Sequence, residues 1–138
     1  MKILILCTGN SCRSQMAEGF LKSIDPKLTV ISAGTNHAKE VNSYTIRVMK
    51  EAGIDISSHF PKSVTDYTDE SFDFVITVCD DAKGACPYFT GAVKHRLHIG
   101  FEDPADATGS NDEILSVYRT VRDQIKSDFE KLYTDFLA

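Results

Sequence analysis

Residues 2–14 of the chain have the sequence KILILCTGNSCRS. The run from Lys2 to Leu6 is almost entirely apolar, as expected of a strand that is buried on both faces of a parallel sheet. Apolar residues at helical spacing follow from Met16 to Ile24, and Pro26 stops the pattern. Segment 7–13 is therefore predicted to be a loop that connects a buried strand to the start of a helix.

Apolar runs predict three further strands, at 28–33, 74–78 and 95–99. The last of these is interrupted by basic side chains. Because the predicted strands alternate with predicted helices, they form βαβ units and a parallel sheet. The fold class is thus α/β, and we expect a single domain over residues 1–138, with a four-stranded parallel sheet and helices on both faces.

Capping signals and apolar spacing locate the remaining helices. One is predicted over 42–52, with Asn42 as its N-cap, and Asp80 favours a helix start after the third strand. The last helix begins at a capping box formed by Ser110 and Glu113. One helical stripe holds the apolar residues of this helix: Ile114, Val117, Val121, Ile125, Leu132 and Phe136.

Length and charge exclude several classes of protein. A chain of 138 residues fits one domain, and a net charge of −5 argues against general attraction to nucleic acid or to an acidic membrane surface. The initial apolar run is too short for a signal peptide or a membrane span. We therefore expect a cytoplasmic protein whose four cysteines are reduced at rest.

The loop after the first strand has the composition of an oxyanion-binding loop. Backbone amides of such a loop can point inward, and the following helix N-terminus adds about half a positive charge. The predicted binding residues are Thr8, Gly9, Asn10, Ser11, Cys12, Arg13 and Ser14. Arg13 supplies a forked cationic donor, Ser14 can hydrogen-bond the sulfur of Cys7, and this environment favours the thiolate nucleophile. The alternative is a buried structural cysteine at the end of a strand.

Cys7 follows the first predicted strand and Cys79 follows the third. Ligands of parallel α/β sheets bind at the carboxyl ends of the strands, so both cysteines are predicted at the functional edge. Cys12 is expected to face the protein interior as a small filler. A zinc site formed by the four cysteines is a poor alternative, because spacings of four and six residues do not match the usual cysteine pairs.

The Cys-x5-Arg-Ser pattern at residues 7–14, continued by Met16-Ala17-Glu18, resembles the low-molecular-weight protein tyrosine phosphatases. It is still more similar to their relatives, the thioredoxin-coupled arsenate reductases. The similarity continues through residues 32–34, 53–57, 78–87 and 100–105, and so covers essentially the whole chain. The resemblance implies a phosphatase-like fold and the reduction of arsenate to arsenite, with phosphate and sulfate as analogues of the substrate.

The resemblance also implies roles for particular residues. Cys79 and Cys86 would form a redox disulfide that completes a relay from Cys7 and is regenerated by thioredoxin. Asp103, which precedes a proline, would be the general acid. The phosphatases usually carry an aromatic residue at the position of Ala105, so this departure counts against a tyrosine phosphatase. No cofactor is implied, and we expect a monomer.

Two other functions stay open: a phosphomonoesterase that uses Cys7, Arg13 and Asp103, and a noncatalytic oxyanion-binding or redox-sensing module. Some of the reductases bind potassium through residues matching Asn10, Glu18 and Ser32, but the carboxylate that completes their site is replaced here by Lys62. Potassium dependence is therefore not expected. The four histidines, His37, His59, His95 and His98, show no metal-binding spacing and are predicted to be surface or hydrogen-bonded structural residues.

Overall fold

The computed structural model describes residues 1–80 and 88–138. Its four strands are β1 (Lys2–Cys7), β2 (Thr29–Gly34), β3 (Ser71–Thr77) and β4 (Ala92–His98). They form one parallel sheet in the order β2-β1-β3-β4. The predicted four-stranded parallel sheet is confirmed.

Strand β1 lies in the middle of the sheet because its side chains are apolar on both faces. Ile3 and Ile5 enter one apolar cluster, and Leu4 and Leu6 enter a second one on the opposite face. All four are fully buried. This alternation is the behaviour expected of a continuous apolar run in a parallel sheet.

The α-helices of the described residues are α1 (Arg13–Ile24), α2 (Ser43–Glu51) and α3 (Asn111–Leu132). All three contribute side chains to the cluster that contains Ile3 and Ile5. The opposite face of the sheet is packed by the 3₁₀ helix Val64–Tyr67 and by Phe89. Among residues 1–80 and 88–138, no helix combines the length and the apolar character that a membrane crossing requires.

The predicted helix caps are confirmed. The Asn42 side chain accepts a hydrogen bond from the backbone N–H of Tyr44 at 2.9 Å, which caps α2. Ser110 and Glu113 form the reciprocal capping box of α3. The helix start predicted after the third strand falls, from Asp81 onward, outside the described residues.

The apolar stripe predicted for the last helix is partly wrong. Val121, Ile125 and Leu132 are buried as predicted, whereas Ile114 and Val117 are only partly buried. The buried face also includes Leu115, Tyr118 and Phe129. Phe136 is 54% exposed, whereas Leu137 is 6% exposed. The last turn, Tyr133–Leu137, is π-helical and contains more residues than an α-helical turn. The buried apolar position is therefore Leu137, one residue after Phe136.

Two strands also begin three residues earlier than predicted, whereas β2 is shifted by only one residue. β3 begins at Ser71, three residues before the predicted start, and β4 covers Ala92–His98 where 95–99 was predicted. β4 pairs with β3 alone at the edge of the sheet, and most of its side chains are exposed. Its apolar signal is weak for that reason.

Candidate active site

The site lies at the carboxyl edge of the two central strands. β1 ends at Cys7 and β3 at Thr77, and Leu6 pairs with Thr77 in the parallel register. Cys79 therefore follows β3 at the same edge where Cys7 enters its loop. The segment after β4 brings Asp103 to this edge as well, where it contacts a loop residue. The structure thus brings the predicted residues Cys7, Arg13, Cys79 and Asp103 to one edge of the sheet.

Two groups of the loop contact the sulfur of Cys7. Ser14 Oγ lies 2.9 Å from Cys7 Sγ, and the backbone N–H of Asn10 donates to the same sulfur at 3.3 Å. Cys7 is buried, as is Ser14. Both contacts stabilise negative charge on the sulfur, because each provides a hydrogen-bond donor.

The side chain of Asn10 ties the loop together and is fully buried. Its Oδ1 accepts from the backbone N–H of Lys62 at 2.9 Å and from Gln15 Nε2 at 3.1 Å. Its Nδ2 is therefore the atom that faces Ser14 Oγ, to which it donates at 2.8 Å. With its lone pair engaged in this way, Ser14 can direct its own hydrogen toward Cys7 Sγ. The side-chain amide of Asn10 thus fixes the loop against α1 and against segment 59–62.

The backbone of the loop is tightly curled. Asn10 has φ of 52°, in the left-handed region that asparagine tolerates better than most residues. The carbonyls of Thr8, Gly9 and Ser11 accept hydrogen bonds from the backbone N–H groups of residues 36, 38 and 42, at 2.8–3.1 Å. These carbonyls point outward, which leaves the inside of the loop to amide groups that can bind an oxyanion.

Gly34, at the end of β2, allows the loop to approach the sheet closely. A Cβ atom added at this position would lie 2.3 Å from the carbonyl oxygen of Thr8. No side chain fits into that space without moving the loop.

Helix α1 begins directly from the loop. Cys12 occupies its N-cap position without making a side-chain capping bond, and the first turn, all of it described, contains no acidic side chain. The N-terminal amides of α1 are therefore available to a bound anion.

Arg13 and Asp103 contact each other beside the loop. Arg13 is 7% exposed, and its Nη2 lies 3.5 Å from Asp103 Oδ2. Its Nη1 donates to the carbonyl of Phe101 at 3.2 Å. Asp103 in turn caps the 3₁₀ turn Pro104–Asp106, because its Oδ1 accepts from the N–H of Ala105 at 3.0 Å. A cationic donor and a carboxylate thus lie together where an oxyanion would react.

Cys12 faces the protein interior, as predicted. Its Sγ lies 3.7 Å from Ser11 Oγ and 3.9 Å from Tyr118 Oη. Burial raises the pKa of the Cys12 thiol. The thiolate form is therefore disfavoured at Cys12.

The cysteines of the described residues differ in redox state, so the expectation that all four are reduced is wrong for Cys79. Cys7 and Cys12 carry free thiols, whereas Cys79 is buried and disulfide-bonded. The prediction that Cys86 takes part in the relay lies outside the described residues.

Glu18 is the centre of a second polar cluster. Its Oε1 accepts from the backbone N–H and the hydroxyl of Ser32 at 2.9 and 2.7 Å, and its Oε2 accepts from Lys22 Nζ at 2.7 Å. Lys62 Nζ lies 3.7 Å from Oε1, and His59 Nδ1 lies 3.4 Å from Oε2. Burial raises the pKa of Glu18, but the hydrogen bonds from Lys22 and Ser32 outweigh it, so the net shift is downward.

These residues do not fit a potassium site. The ammonium group of Lys62 already provides positive charge beside the carboxylate of Glu18. Burial lowers the pKa of Lys62, and the attraction of Glu18 opposes that shift. A second cation at this position would be repelled by Lys62.

The histidines make structural contacts, as predicted. His37 Nδ1 contacts the carbonyl of Ala38 at 3.0 Å, and His98 Nδ1 lies 2.7 Å from Thr77 Oγ1. The ring of His95 packs on Phe74. His59 Nδ1 lies 3.0 Å from Gln15 Oε1. Within residues 1–80 and 88–138, no group of three or more potential metal ligands comes together.

The sequence analysis did not identify Gln15 and Phe101 as part of the site. Gln15 is fully buried in the first turn of α1, and the carbonyl of Phe101 holds Arg13. A signal for Gln15 does exist in the sequence, since a neutral amide directly follows the Arg-Ser pair of a loop rich in polar residues. The contact of Phe101 uses a backbone oxygen, which no residue pattern indicates.

This fold and this loop define a class of protein. The family model of the low molecular weight phosphotyrosine protein phosphatases matches residues 2–137, and the chain belongs to this family. The chain is 45% identical over 124 residues to an arsenate reductase from Halalkalibacterium halodurans, which covers 89% of this chain and 88% of the relative.

Solved structures agree with the match. One described as an arsenate reductase in the phosphate binding state has a TM-score of 0.79 at 32% identity, and the match covers 97% of both chains. A thioredoxin-dependent arsenate reductase from Corynebacterium glutamicum has a TM-score of 0.67 at 26% identity, covering 97% of this chain and 60% of that chain.

Proposed function

We propose that this protein is an arsenate reductase in which Cys7 is the nucleophile and Cys79 and Cys86 carry the electrons onward. The observation that carries the proposal is the position of a disulfide-bonded cysteine, Cys79, at the same sheet edge as the oxyanion loop of Cys7. A phosphatase needs the loop and the general acid but has no use for a redox cysteine beside them. The similarity to arsenate reductases over nearly the whole chain supports the same function.

The first step joins sulfur to arsenic. The Cys7 thiolate, stabilised by Ser14 and the N–H of Asn10, attacks arsenic in an arsenate held by the loop amides and Arg13. A hydroxyl group of arsenate leaves as water after taking a proton from Asp103. Arsenic keeps its oxidation state in this step.

The second step is the reduction. The thiolate of Cys79 attacks Cys7 Sγ, a disulfide forms, and the sulfur–arsenic bond breaks with its electron pair on arsenic. Arsenite is released, and the two cysteines have supplied the two electrons. Cys86 then attacks Cys79 Sγ, which frees Cys7 as a thiolate and leaves a Cys79–Cys86 disulfide.

The redox states of the described cysteines support this order. Free Cys7 together with disulfide-bonded Cys79 is the combination expected after the last of these exchanges. We propose Cys86 as the partner of Cys79.

We propose thioredoxin as the reductant of that disulfide. One solved relative is described as thioredoxin-dependent, which supports this choice. We place the reaction in the cytoplasm, where thioredoxin keeps protein thiols reduced.

The phosphomonoesterase alternative is disfavoured by the surroundings of the loop. A cleft of about 420 Å³ beside Ser11 is lined by residues 38, 40–43 and 46, which are small, aliphatic or polar. Ala105, in the 3₁₀ turn that Asp103 caps, is exposed and small. The described walls therefore provide no aromatic ring to stack on an aryl phosphate.

The deciding experiment is arsenate-dependent oxidation of NADPH in the presence of thioredoxin and thioredoxin reductase. The unmodified protein should turn over repeatedly and release arsenite. Cys86→Ser should stop after one turnover with Cys7 joined to Cys79, as peptide mapping would reveal, whereas Cys12→Ser is the matched control and should keep cycling. Turnover of an aryl phosphate without any arsenate-dependent NADPH oxidation would favour the phosphatase. Arsenate binding without arsenite release would favour the noncatalytic module.

A further inference from the structure

A buried hydrogen-bond chain leads away from the loop toward the Glu18 cluster, and Gln15 is its central link. Gln15 lies in the first turn of α1 and is fully buried. Its Nε2 lies 3.1 Å from both the carbonyl oxygen and Oδ1 of Asn10, and 3.2 Å from the carbonyl oxygen of Phe60. Gln15 therefore joins the strained residue of the loop to segment 59–62.

The orientation of the Gln15 amide follows from these contacts. Three acceptor oxygens surround one end of the amide, so that end must be the NH₂ group. Oε1 then lies at the other end, 3.0 Å from His59 Nδ1. Because Oε1 can act only as an acceptor, His59 must carry a hydrogen on Nδ1.

Several charged groups lie near His59. Glu18 Oε2 lies 3.4 Å from its Nδ1, and Lys22, Lys62 and Asp55 also act on its charge. Burial lowers the pKa of His59, and the nearby Glu18 carboxylate opposes this shift. Since Nδ1 is a donor in both the imidazolium and this neutral tautomer, the bond to Gln15 is retained in both protonation states.

The hydrogen-bond chain continues from Gln15 through Asn10 and Ser14 to Cys7. With its Oδ1 held by Gln15 and by the N–H of Lys62, Asn10 turns Nδ2 toward Ser14 Oγ, and Ser14 Oγ lies 2.9 Å from Cys7 Sγ. We propose that Gln15, whose Oε1 is held by His59, is a positioning residue that keeps the hydroxyl hydrogen of Ser14 directed at the sulfur of Cys7. This inference rests on the proposed role of Cys7 as the nucleophile.

The burial of Gln15, Asn10 and Ser14 distinguishes this hydrogen-bonding role from simple packing. Gln15, Asn10 and Ser14 are all fully buried, so no water is at hand to replace a lost partner. If Gln15 is lost, the Oδ1 of Asn10 keeps one hydrogen-bond donor instead of two, and the side-chain amide of Asn10 can flip. Asn10 would then present an oxygen to Ser14 Oγ, and the Ser14 hydrogen would point away from the sulfur.

The test is the rate of iodoacetamide alkylation of Cys7 as a function of pH, with the labelled residue identified by peptide mapping. Gln15→Met keeps the length of the side chain and removes both ends of the link. His59→Leu removes the donor to Gln15 Oε1 and leaves that buried oxygen unpaired, so Gln15 must shift away from Asn10 to find another donor. Each should move the midpoint of Cys7 alkylation upward by about one pH unit, because the thiolate loses a hydrogen bond. His59→Asn places an amide nitrogen near the position of Nδ1 and should restore the midpoint.

Val48→Ala, on the buried face of α2, is the control for a loss of stability alone, and its alkylation midpoint should not move. Folded Gln15→Met and His59→Leu proteins with the unmodified midpoint would overturn the proposal. If Gln15→Met does not fold, the comparison of His59→Leu with His59→Asn decides, since His59 lies at the margin of the core. Alkylation needs no arsenate, so a failure of the unmodified protein to produce arsenite would overturn the proposed function and leave this measurement unaffected.

Discussion

Arg13 Nη2 lies 3.5 Å from Asp103 Oδ2. The cation that would bind the oxyanion therefore forms an ion pair with the carboxyl that would protonate it. The carbonyl of Phe101 takes a second guanidinium hydrogen at 3.2 Å. An incoming oxyanion competes with Asp103 for Arg13 and brings negative charge next to this carboxylate. Both effects weaken the ion pair between Arg13 and Asp103 and leave the Asp103 carboxyl free to face the bound oxyanion.

This competition predicts opposite effects of Asp103→Asn on binding and on turnover. Sulfate or phosphate should bind more tightly, because the carboxylate no longer competes for Arg13, while arsenate reduction should slow by roughly 10²–10⁴-fold through the loss of the acid. Calorimetric titration and steady-state turnover measure the two effects. Asp106→Asn, in the same 3₁₀ turn, is the matched control. A large loss of turnover in Asp106→Asn but not in Asp103→Asn would assign the acid to Asp106.

The free thiols of Cys7 and Cys12 should differ sharply in reactivity. Burial raises the pKa of Cys12, whereas Cys7 receives hydrogen bonds from Ser14 and the N–H of Asn10. At mildly acidic pH, alkylation should label Cys7 first, and a bound oxyanion should protect it. Cys7→Ser should abolish activity, while Cys12→Ser keeps most of it. Faster labelling of Cys12, with an inactive Cys12→Ser protein, would reverse the assignment.

The ammonium of Lys62 beside Glu18 predicts indifference to potassium. The melting temperature and activity of the unmodified protein should be the same in potassium and sodium salts at equal ionic strength. Lys62→Asp should create a potassium response, because a carboxylate then joins Glu18, Ser32 and Asn10. Lys62→Met is the control, since it removes the ammonium without adding a ligand. A potassium-specific rise in the melting temperature of the unmodified protein would contradict this interpretation of Lys62.

The ion pair between α2 and α3 predicts a particular loss of stability in acid. Two hydrogen bonds from Arg119, at 2.8 and 2.9 Å, lower the pKa of Glu51 from its ordinary value of 4.5 to about 2. Because the folded-state pKa is depressed, the ionised carboxylate stabilises the fold above about pH 4.5, and this contribution is lost as the pH falls toward 2.

Glu51→Gln should therefore melt at a lower temperature than the unmodified protein at pH 7, and the difference should shrink steadily below pH 4.5. Thermal melts followed by circular dichroism between pH 3 and 7 measure it. Glu130→Gln, on the surface of α3, is the control. A difference between Glu51→Gln and the unmodified protein that stays constant over this pH range would assign the effect to something other than the ionisation of Glu51.

The sequence predicted most reliably those features whose cause is local. The apolar run of β1, the loop that follows it and the capping box of α3 each depend on neighbouring residues, and all three are found in the structure. The predictions failed where a neighbouring signal was weak or interrupted. β4 is an exposed edge strand with little apolar pattern, and the π-helical turn at the end of the chain changes the spacing on which the position of Phe136 depended.

Contacts between distant segments were beyond local patterns. The hydrogen bond between Gln15 and His59 joins residues 44 positions apart, and it exists because segment 59–62 returns to the oxyanion loop. Lys62 was expected near Glu18 only because of the resemblance to the reductases, since no periodicity indicates it. Contacts of this kind depend on the tertiary fold.

The sheet order β2-β1-β3-β4 places the exits of β1 and β3 side by side, although about half of the chain separates Cys7 from Cys79. Their proximity is therefore a property of strand register and does not depend on how long the intervening path is. Insertions between α2 and the 3₁₀ helix Val64–Tyr67 that spare segment 59–62 should lengthen that path without moving the two sulfurs apart. The surface turn at Gly53 is thus a site where a tag or a reporter domain could be inserted while the distance between the sulfurs of Cys7 and Cys79 stays the same.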